Sequence, residues 1–290
     1  MSPADERSGV PVALCADDYA ISPGVDDGIL ALAETGRITA FSCMTASPRW
    51  PAAAGRMKPL SGTVDVGLHF VLTQLSPLGP MPSLAPDGRF PQLGALSTQA
   101  VMRRLAPGEI EAELGRQIDA FAEAAGRLPD FLDGHHHVHE LPGVRDVVAR
   151  VWKARVPAGW IRNTATAPAR IFSRGVAMPR AALIAAFGWA AKRAWRAAGI
   201  PTNADFSGVR NFDERQPYRA LMQRFLRNAE PGLLIMCHPG KPETDDTLAS
   251  IDYVAGARVD EYGYLSGADF SADLEAAGCR LVRLSSFAAR

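Results

Sequence analysis

The sequence predicts an α/β fold of mainly parallel strands, arranged either as a doubly wound sheet or as a (β/α) barrel. Short apolar runs alternate along the chain with longer segments of helical periodicity, and this alternation is typical of buried parallel strands joined by crossover helices. Several apolar runs end in Asp or His, as expected where the carboxyl ends of parallel strands form a site. The 290 residues are interpreted as one domain over 1–290, with about residues 1–9 as a flexible N-terminal tail.

The predicted strands are short apolar runs, most of them followed by polar or turn residues. The first contains VPVALC and ends in carboxylates, and the late run GLLIMC ends in His-Pro-Gly. In chain order the predicted strands are 10–18, 37–47, 62–73, 129–139, 158–163, 232–240 and 279–286.

The predicted helices fill the intervals between these runs. The first has Ser22 as its N-cap, Pro23 in its first turn and Gly36 as its stop signal. In chain order the predicted helices are 22–36, 48–58, 107–126, 142–155, 178–199, 217–229 and about 267–277. Residues 74–107 are rich in Pro and Gly and are predicted to form a long loop that serves as a lid or a binding loop.

Composition excludes several classes of protein. Lys and Arg together number 31, as do Asp and Glu, so the chain lacks the basic excess of a nucleic-acid-binding protein. It contains neither an uninterrupted apolar run of about 18 residues nor the basic start and apolar core of a signal peptide. The four cysteines form no CxxC pair and lie in or beside apolar runs, as buried reduced thiols of a cytoplasmic protein do.

Polar residues at the predicted strand ends form the inventory of a metal site. The first strand ends in Asp17 and Asp18, the third in His69 and the late strand in His238. The fourth ends in DGHHHVH, a segment that holds four of the chain's six histidines. If these strands are parallel neighbours, carboxylate oxygens and imidazole nitrogens meet at one rim. One Asp with two His leaves open positions on a metal for water and substrate.

Strand geometry predicts different roles for the clustered histidines. Because side chains alternate along a strand, we expect His135, His137 and His139 to share one face and His136 to point away. His135 is the deepest of the first three and is the best ligand candidate. His137 and His139 lie further out, where they contact substrate or neighbouring carboxylates.

Each of these signals also has a purely structural interpretation. An Asp-Asp pair at a strand end is commonly a turn or a helix cap, and a single histidine such as His69 is more often packed than a ligand. Four clustered histidines have no comparable role in stability, because their mutual repulsion would lower their pKa values. For Asp17 and Asp18 to serve one site, a bulge or strand end must redirect one of them. The natural division is then one ligand and one general base.

Four segments together resemble the YdjC-like carbohydrate deacetylases: ADDYAISPGVDDGI, VGLHFVLT, DGHHHVHELP and MCHPG. They follow the order found in that family and span residues 16–240. The family includes chitin-oligosaccharide and hopanoid-associated deacetylases and is similar to the polysaccharide-deacetylase superfamily. The resemblance therefore implies an irregular (β/α) barrel and a divalent metal. One departure is Tyr19-Ala20, where relatives usually have Phe-Gly.

The resemblance also implies roles for individual residues. Asp17 would be the general base and His238 the general acid. Asp18, His69 and His135 would hold one divalent ion, zinc or magnesium first, with nickel and cobalt as alternatives. The implied reaction is hydrolysis of the N-acetyl group of N-acetylglucosamine in a saccharide or glycolipid, with release of acetate. A homodimer is a further expectation from the family.

Other residues are candidates for substrate contact. Arg162 follows a predicted strand and either clamps a sugar or anionic group or forms a surface salt bridge. Phe206 either faces a sugar ring or packs in the core. Segment 178–201 is rich in Ala and Trp and carries several cations. It either packs on the barrel or a partner subunit, or rests at a membrane surface and receives a lipid-linked sugar.

Two other functions fit the same residues. A metal-dependent phosphoesterase would use this Asp and His set, but it needs a second metal or several cations near the phosphate. The motif loops contain few Lys or Arg, which favours an acetamide substrate. A non-catalytic metal- or sugar-binding protein would release no acetate and would not need Asp17 for binding.

Overall fold

Eight parallel strands form one sheet at the centre of the fold. The computed structural model describes residues 9–60, 62–212, 216–243 and 255–288. Within these residues the strands are β1 (Val10–Tyr19), β2 (Ala40–Cys43), β3 (Asp65–Phe70), β4 (Phe131–Gly134), β5 (Trp160–Ile161), β6 (Asp205–Ser207), β7 (Leu233–Cys237) and β8 (Cys279–Leu281). Their order is β5-β4-β3-β2-β1-β7-β6, and β8 pairs with the start of β1.

The two edges of this sheet meet, which makes it an irregular barrel. A parallel bridge joins Ile161 of β5 to Thr202, just before β6. The Asn163 backbone N–H donates to Asn203 Oδ1 at 2.7 Å, and the Asn203 side-chain amide donates back to the Asn163 carbonyl at 2.8 Å. The strands at this junction are too short for a regular ladder of backbone hydrogen bonds, and the Asn203 side chain provides hydrogen bonds in its place. The prediction of an irregular (β/α) barrel is confirmed, and the doubly wound alternative is wrong.

Helices cover the outside of the barrel. They are α1 (Pro23–Glu34), α2 (Trp50–Arg56), α3 (Leu93–Val101), α4 (Pro107–Ala125), α5 (Val144–Arg155), α6 (Pro168–Arg174), α7 (Met178–Ala197), α8 (Tyr218–Phe225), α9 (Ala255–Ser266), α10 (Ala268–Ala276) and α11 (Ser285–Ala288), with 3₁₀ helices at Lys58–Leu60 and His135–Glu140. None of the described helices has the length and apolar character needed to cross a bilayer.

Burial on one helical face fixes α4 against the barrel. Ile110, Leu114, Ile118 and Phe121 recur every three or four residues, and each is at most 1% exposed. Such spacing places them on one stripe of the helix. Burying each of these side chains stabilises the fold by about 2 kcal/mol.

Several predicted elements differ from those observed. The predicted strand 129–139 ends at Gly134, and the predicted strand 279–286 ends at Leu281. The predicted loop 74–107 contains α3, whose Leu96 is fully buried. β6, α6, α9 and α11 were not predicted. β6 and α11 have only three and four residues, and α6 and α9 lack a clear apolar stripe. The predicted tail lies almost wholly outside the described residues, and the single domain over 1–290 stays a prediction.

The loop after β7 packs directly on α1. A Cβ at Gly28 would lie 2.9 Å from the Gly240 Cα, and one at Gly24 would lie 2.5 Å from the Lys241 carbonyl oxygen. The Ser22 hydroxyl and the Gly24 N–H both donate to the Glu243 carboxylate, which also faces the positive end of the helix dipole. These contacts hold the segment that follows His238.

Gly28→Ala is expected to destabilise the protein by about 1–2 kcal/mol, because the added methyl group meets backbone atoms that cannot rotate away. Gly55→Ala is the matched control, since Gly55 is also helical and a Cβ there would meet nothing within 4 Å. Helix propensity alone should make this control neutral or up to about 1 kcal/mol more stable. Urea unfolding of the three proteins measures both effects. A Gly28→Ala protein as stable as Gly55→Ala would contradict the contact.

Candidate metal and catalytic site

Two adjacent carboxylates reach the site because β1 is irregular at its end. The pairing of β1 with β2 shifts register between Ala16 and Tyr19, and Asp18 has φ 73°, a left-handed conformation that Asp tolerates better than most residues. Both Asp17 and Asp18 consequently line the same cavity, as the expectation of a bulge requires. Ala20, where the family resemblance implies Gly, also has a positive φ of 77°, a conformation that Gly adopts with less strain.

Asp18, His69 and His135 converge at the ends of β1, β3 and β4. Asp18 Oδ1 lies 3.1 Å from His69 Nε2 and 3.0 Å from His135 Nδ1. One ligand atom from each residue lies within 4.8 Å of the other two. A carboxylate oxygen and two imidazole nitrogens at this separation suit a divalent ion with open coordination positions.

Neighbouring side chains bind the two imidazole nitrogens that face away from Asp18. His69 Nδ1 donates to Asp133 Oδ1 at 2.7 Å, and His135 Nε2 donates to Gln74 Oε1 at 2.6 Å. Each ring therefore directs its other nitrogen, without a proton in the neutral form, toward Asp18, as metal-binding imidazoles do. The donor set fits a bound cation.

Charged neighbours keep Asp18 and His69 ionised in the absence of a metal. Burial opposes ionisation of Asp18, but Arg258, whose Nη2 lies 2.6 Å from Asp18 Oδ2, and His135 hold its pKa well below the usual range. Burial likewise opposes protonation of His69, yet Asp133 and Asp18 raise its pKa to about 10. A divalent cation would replace that proton, because only the unprotonated nitrogen can be a ligand.

Asp17 is held by a bidentate ion pair rather than by the triad. Arg162 Nη1 and Nη2 donate to its two oxygens at 2.5 and 2.8 Å, and Nη1 also lies 2.9 Å from Asp133 Oδ2. Burial nevertheless raises the pKa of Asp17 above its usual range despite the opposing arginine. A carboxylate with a raised pKa is a stronger base. Asp133, Asp17 and Cys15 also lie together, but the Arg162 cation already pairs with both carboxylates.

His238 follows β7 and faces Asp17. Its Nε2 lies 3.9 Å from Asp17 Oδ2, and its backbone N–H donates to Glu261 Oε2 at 2.5 Å. Burial holds the pKa of His238 well below the usual value, so the imidazole is neutral in this state. Asp17 and His238 line the same cavity as Asp18, His69 and His135.

Strand alternation predicts the wrong positions for His136 and His139. The chain turns at Gly134 into a 3₁₀ helix, and His136 and His137 have φ of 55° and 58°, so the period of two no longer applies. His136, expected to point away, lines the cavity and lies 3.0 Å from the Thr73 hydroxyl. His139, expected beside substrate or neighbouring carboxylates, is fully buried, donates to the Arg162 carbonyl at 2.9 Å and stacks on Trp195.

Two further candidates for substrate contact lie behind the cavity. Arg162 is fully buried, and both of its Nη atoms lie in ion pairs with carboxylates. Phe206 is 2% exposed, and its ring contacts His137 edge-on. Neither lines the cavity. Arg162 forms a buried ion pair with Asp17 instead of a sugar contact or a surface salt bridge, and Phe206 packs in the core, which is the second of the two interpretations given for it. His137 lines the cavity as expected.

The cavity above these groups has a volume of about 200 Å³. Asp and His side chains form one part of its lining, and apolar side chains such as Leu93, Ile184 and Met236 form another. Arg180, Arg210 and Arg258 also line it, in addition to the few Lys and Arg of the motif loops. Sequence reasoning missed them because they lie outside the motifs. Arg210 pairs with Glu261 and Arg258 with Asp18, so carboxylates compensate two of these three positive charges.

Two curated deacetylases are similar to this chain in sequence. Among curated proteins, a carbohydrate deacetylase of Geobacillus stearothermophilus is 40% identical over 137 residues, 47% of this chain and 53% of that protein. A chitooligosaccharide deacetylase of Serratia marcescens is 30% identical over 229 residues, 77% of this chain and 79% of that protein. The chain spans about half the length of the curated relatives that it matches at higher identity.

Fold and family follow from two further comparisons. The crystal structure of an Enterococcus faecalis protein, a candidate cellobiose-phosphate cleavage protein, superimposes with a TM-score of 0.74 at 21% identity and covers 97% of this chain and 100% of that protein. At this identity the likeness supports the fold alone. A family model described as YdjC-like protein matches residues 11–276, a range that contains the whole metal triad, Asp17 and His238. The chain belongs to the family of YdjC-like proteins.

Proposed function

We propose that the protein is a metal-dependent hydrolase that removes the N-acetyl group from an N-acetylglucosamine-containing saccharide or glycolipid and releases acetate. One observation carries the proposal: a buried carboxylate outside the ligand set, Asp17, lies beside a one-carboxylate, two-imidazole triad. Relatives that bear the names carbohydrate deacetylase and chitooligosaccharide deacetylase support it.

Asp18, His69 and His135 would hold the ion, for which zinc or magnesium are the first choices and nickel or cobalt the alternatives. When bound, a divalent metal polarises the acetamide carbonyl and lowers the pKa of a bound water. The remaining tasks are to orient the substrate and to move protons, and these belong to the side chains around the triad.

Asp17 accepts the proton of the attacking water. Arg162 holds both of its oxygens, so the carboxylate cannot rotate away from the cavity. His238, at 3.9 Å from Asp17, donates a proton to the leaving amine. Burial keeps the resting imidazole neutral, so His238 has to gain that proton during the reaction. Asp17, which has just accepted a proton from the water and whose Oδ2 lies near His238 Nε2, supplies it.

Acetate release from N-acetylglucosamine oligomers is the direct test. We expect release that EDTA abolishes and that a divalent ion restores, with zinc, magnesium, cobalt and nickel added separately to identify the metal. Phosphate release from p-nitrophenyl phosphate in the same samples would favour the phosphoesterase. Binding of the oligomer without acetate would favour a non-catalytic protein. A glycolipid with the same head group, assayed beside the oligomer, distinguishes the two substrate classes.

The cytoplasmic location and the homodimer stay predictions. Location in the cytoplasm is tested by cell fractionation, and the homodimer by light scattering of the purified chain.

A further inference from the structure

Charge is distributed very unevenly along this neutral chain. Residues 147–204 contain no Asp or Glu, although the whole chain has as many acidic as basic residues. The cations of this interval are Arg150, Lys153, Arg155, Arg162, Arg170, Arg174, Arg180, Lys192, Arg193 and Arg196. Arg150, Arg155, Arg162, Arg170 and Arg174 pair with carboxylates from other parts of the chain. The basic excess of this interval therefore lies mainly on α7, which carries Arg180, Lys192, Arg193 and Arg196.

Large apolar side chains protrude from the same interval. Phe172 is 79% exposed, Leu183 61%, Trp189 49% and Met178 42%. Arg193 and Arg196 continue the exposed side of α7 toward its C-terminus. We call these six residues the α6–α7 face. Large apolar side chains grouped on one surface are characteristic of a binding region rather than of ordinary surface.

The opposite side of α7 fixes this face in place. Ala185, Gly188, Ala191 and Trp195 are buried, and a Cβ at Gly188 would lie 2.4 Å from the Ala165 backbone nitrogen. Such close packing prevents α7 from turning to bury Leu183 or Trp189. The Trp189 indole N–H already donates to the Thr166 carbonyl at 3.1 Å, so the exposed part of this ring is apolar.

The α6–α7 face is continuous with the mouth of the cavity. Leu183, which belongs to the face, lines the cavity together with Arg180 and Ile184. A surface that covered the face would therefore lie at the edge of the catalytic cavity.

We propose that the α6–α7 face docks on the surface of an anionic lipid bilayer. Exposed apolar side chains beside arginines, with no acidic residue among them, are the composition of a helix that lies in the plane of a membrane interface. Tryptophan side chains favour the membrane–water interface. Arginine is attracted to anionic head groups. A second copy fits less well, because a two-fold contact through this face would bring two basic surfaces together.

Vesicle flotation tests the proposal without reference to catalysis. The intact protein is expected to float with vesicles of phosphatidylglycerol and phosphatidylcholine in equal parts, but not with pure phosphatidylcholine, and salt should weaken the binding. Arg193→Gln with Arg196→Gln should weaken partitioning on the order of 30-fold, since each cation contributes about 1 kcal/mol. Phe172→Ser with Trp189→Ser should also lower it.

The matched control is Arg56→Gln with Lys58→Gln, an equal loss of charge in the connection between β2 and β3, which are distant from β5 and β6 in the strand order. It should bind vesicles as the intact protein does. No flotation with anionic vesicles, or equal flotation of the Arg193/Arg196 variant, would overturn the proposal. So would a dimer that Phe172→Ser with Trp189→Ser converts to a monomer. Acetate release from a water-soluble oligomer should be unchanged in all these variants, so docking and hydrolysis fail independently.

Discussion

Asp17→Asn is expected to lower the turnover number by roughly 10²–10⁴-fold while the protein keeps its metal. The amide has nearly the shape of the carboxylate but cannot accept the proton of the attacking water. Asp17 does not belong to the group formed by Asp18, His69 and His135, so this group should remain intact. Acetate release and metal content, measured on the same purified sample, test both halves of this expectation.

A loss of activity could also follow from a loosened Arg162. In Asp17→Asn this arginine still has Asp133, whose Oδ2 lies 2.9 Å from Nη1, so its charge is not left without a partner. A thermal unfolding curve close to that of the intact protein is the control. Turnover within about tenfold of the intact protein would contradict the assignment of Asp17 as the base.

Asp18→Asn is expected to lower metal affinity by more than about 100-fold. Changing a residue that only orients a ligand typically costs 10–100-fold, and Asp18 is the one carboxylate of the triad. Asn suits the positive φ of 73° at this position as well as Asp does, so the backbone should keep its path. The metal content after dialysis, by elemental analysis, gives the result.

The two substitutions form a matched pair at neighbouring positions. Each removes one negative charge and preserves shape, yet they should affect different properties. Asp17→Asn should retain metal without activity, and Asp18→Asn should lose both. The assignment of Asp18 as ligand would be contradicted by an Asp18→Asn protein that keeps its full metal content. The assignment of Asp17 as base alone would be contradicted by an Asp17→Asn protein that loses its metal.

Much of the site could be predicted because its chemistry lies in local segments. Asp17, Asp18, His69 and His238 each stand at the end of an apolar run, and parallel strands bring such ends to one rim. The need for a bulge after Ala16 followed from the alternation of side chains, and the register shift there meets it. The barrel could be predicted as one of two arrangements, since periodicity does not reveal whether the edges of a sheet meet.

The errors have a common cause, which is that local patterns do not show where the backbone leaves its regular path. The turn at Gly134 reverses the expected positions of His136 and His139. Three further contributors to the site are distant from the motifs: Gln74, Arg180 and Arg258 reach it from a loop and two helices. No periodicity or spacing in the sequence marks these residues.

The sequence by itself determined which chemical groups are available: two carboxylates and several imidazoles at the ends of buried strands. Only the tertiary structure decided how they are divided. Buried charges need partners, so Arg162 became the partner of Asp17 rather than of a substrate, and Arg258 that of Asp18. Such pairings depend on distances across the barrel, which a linear pattern does not contain.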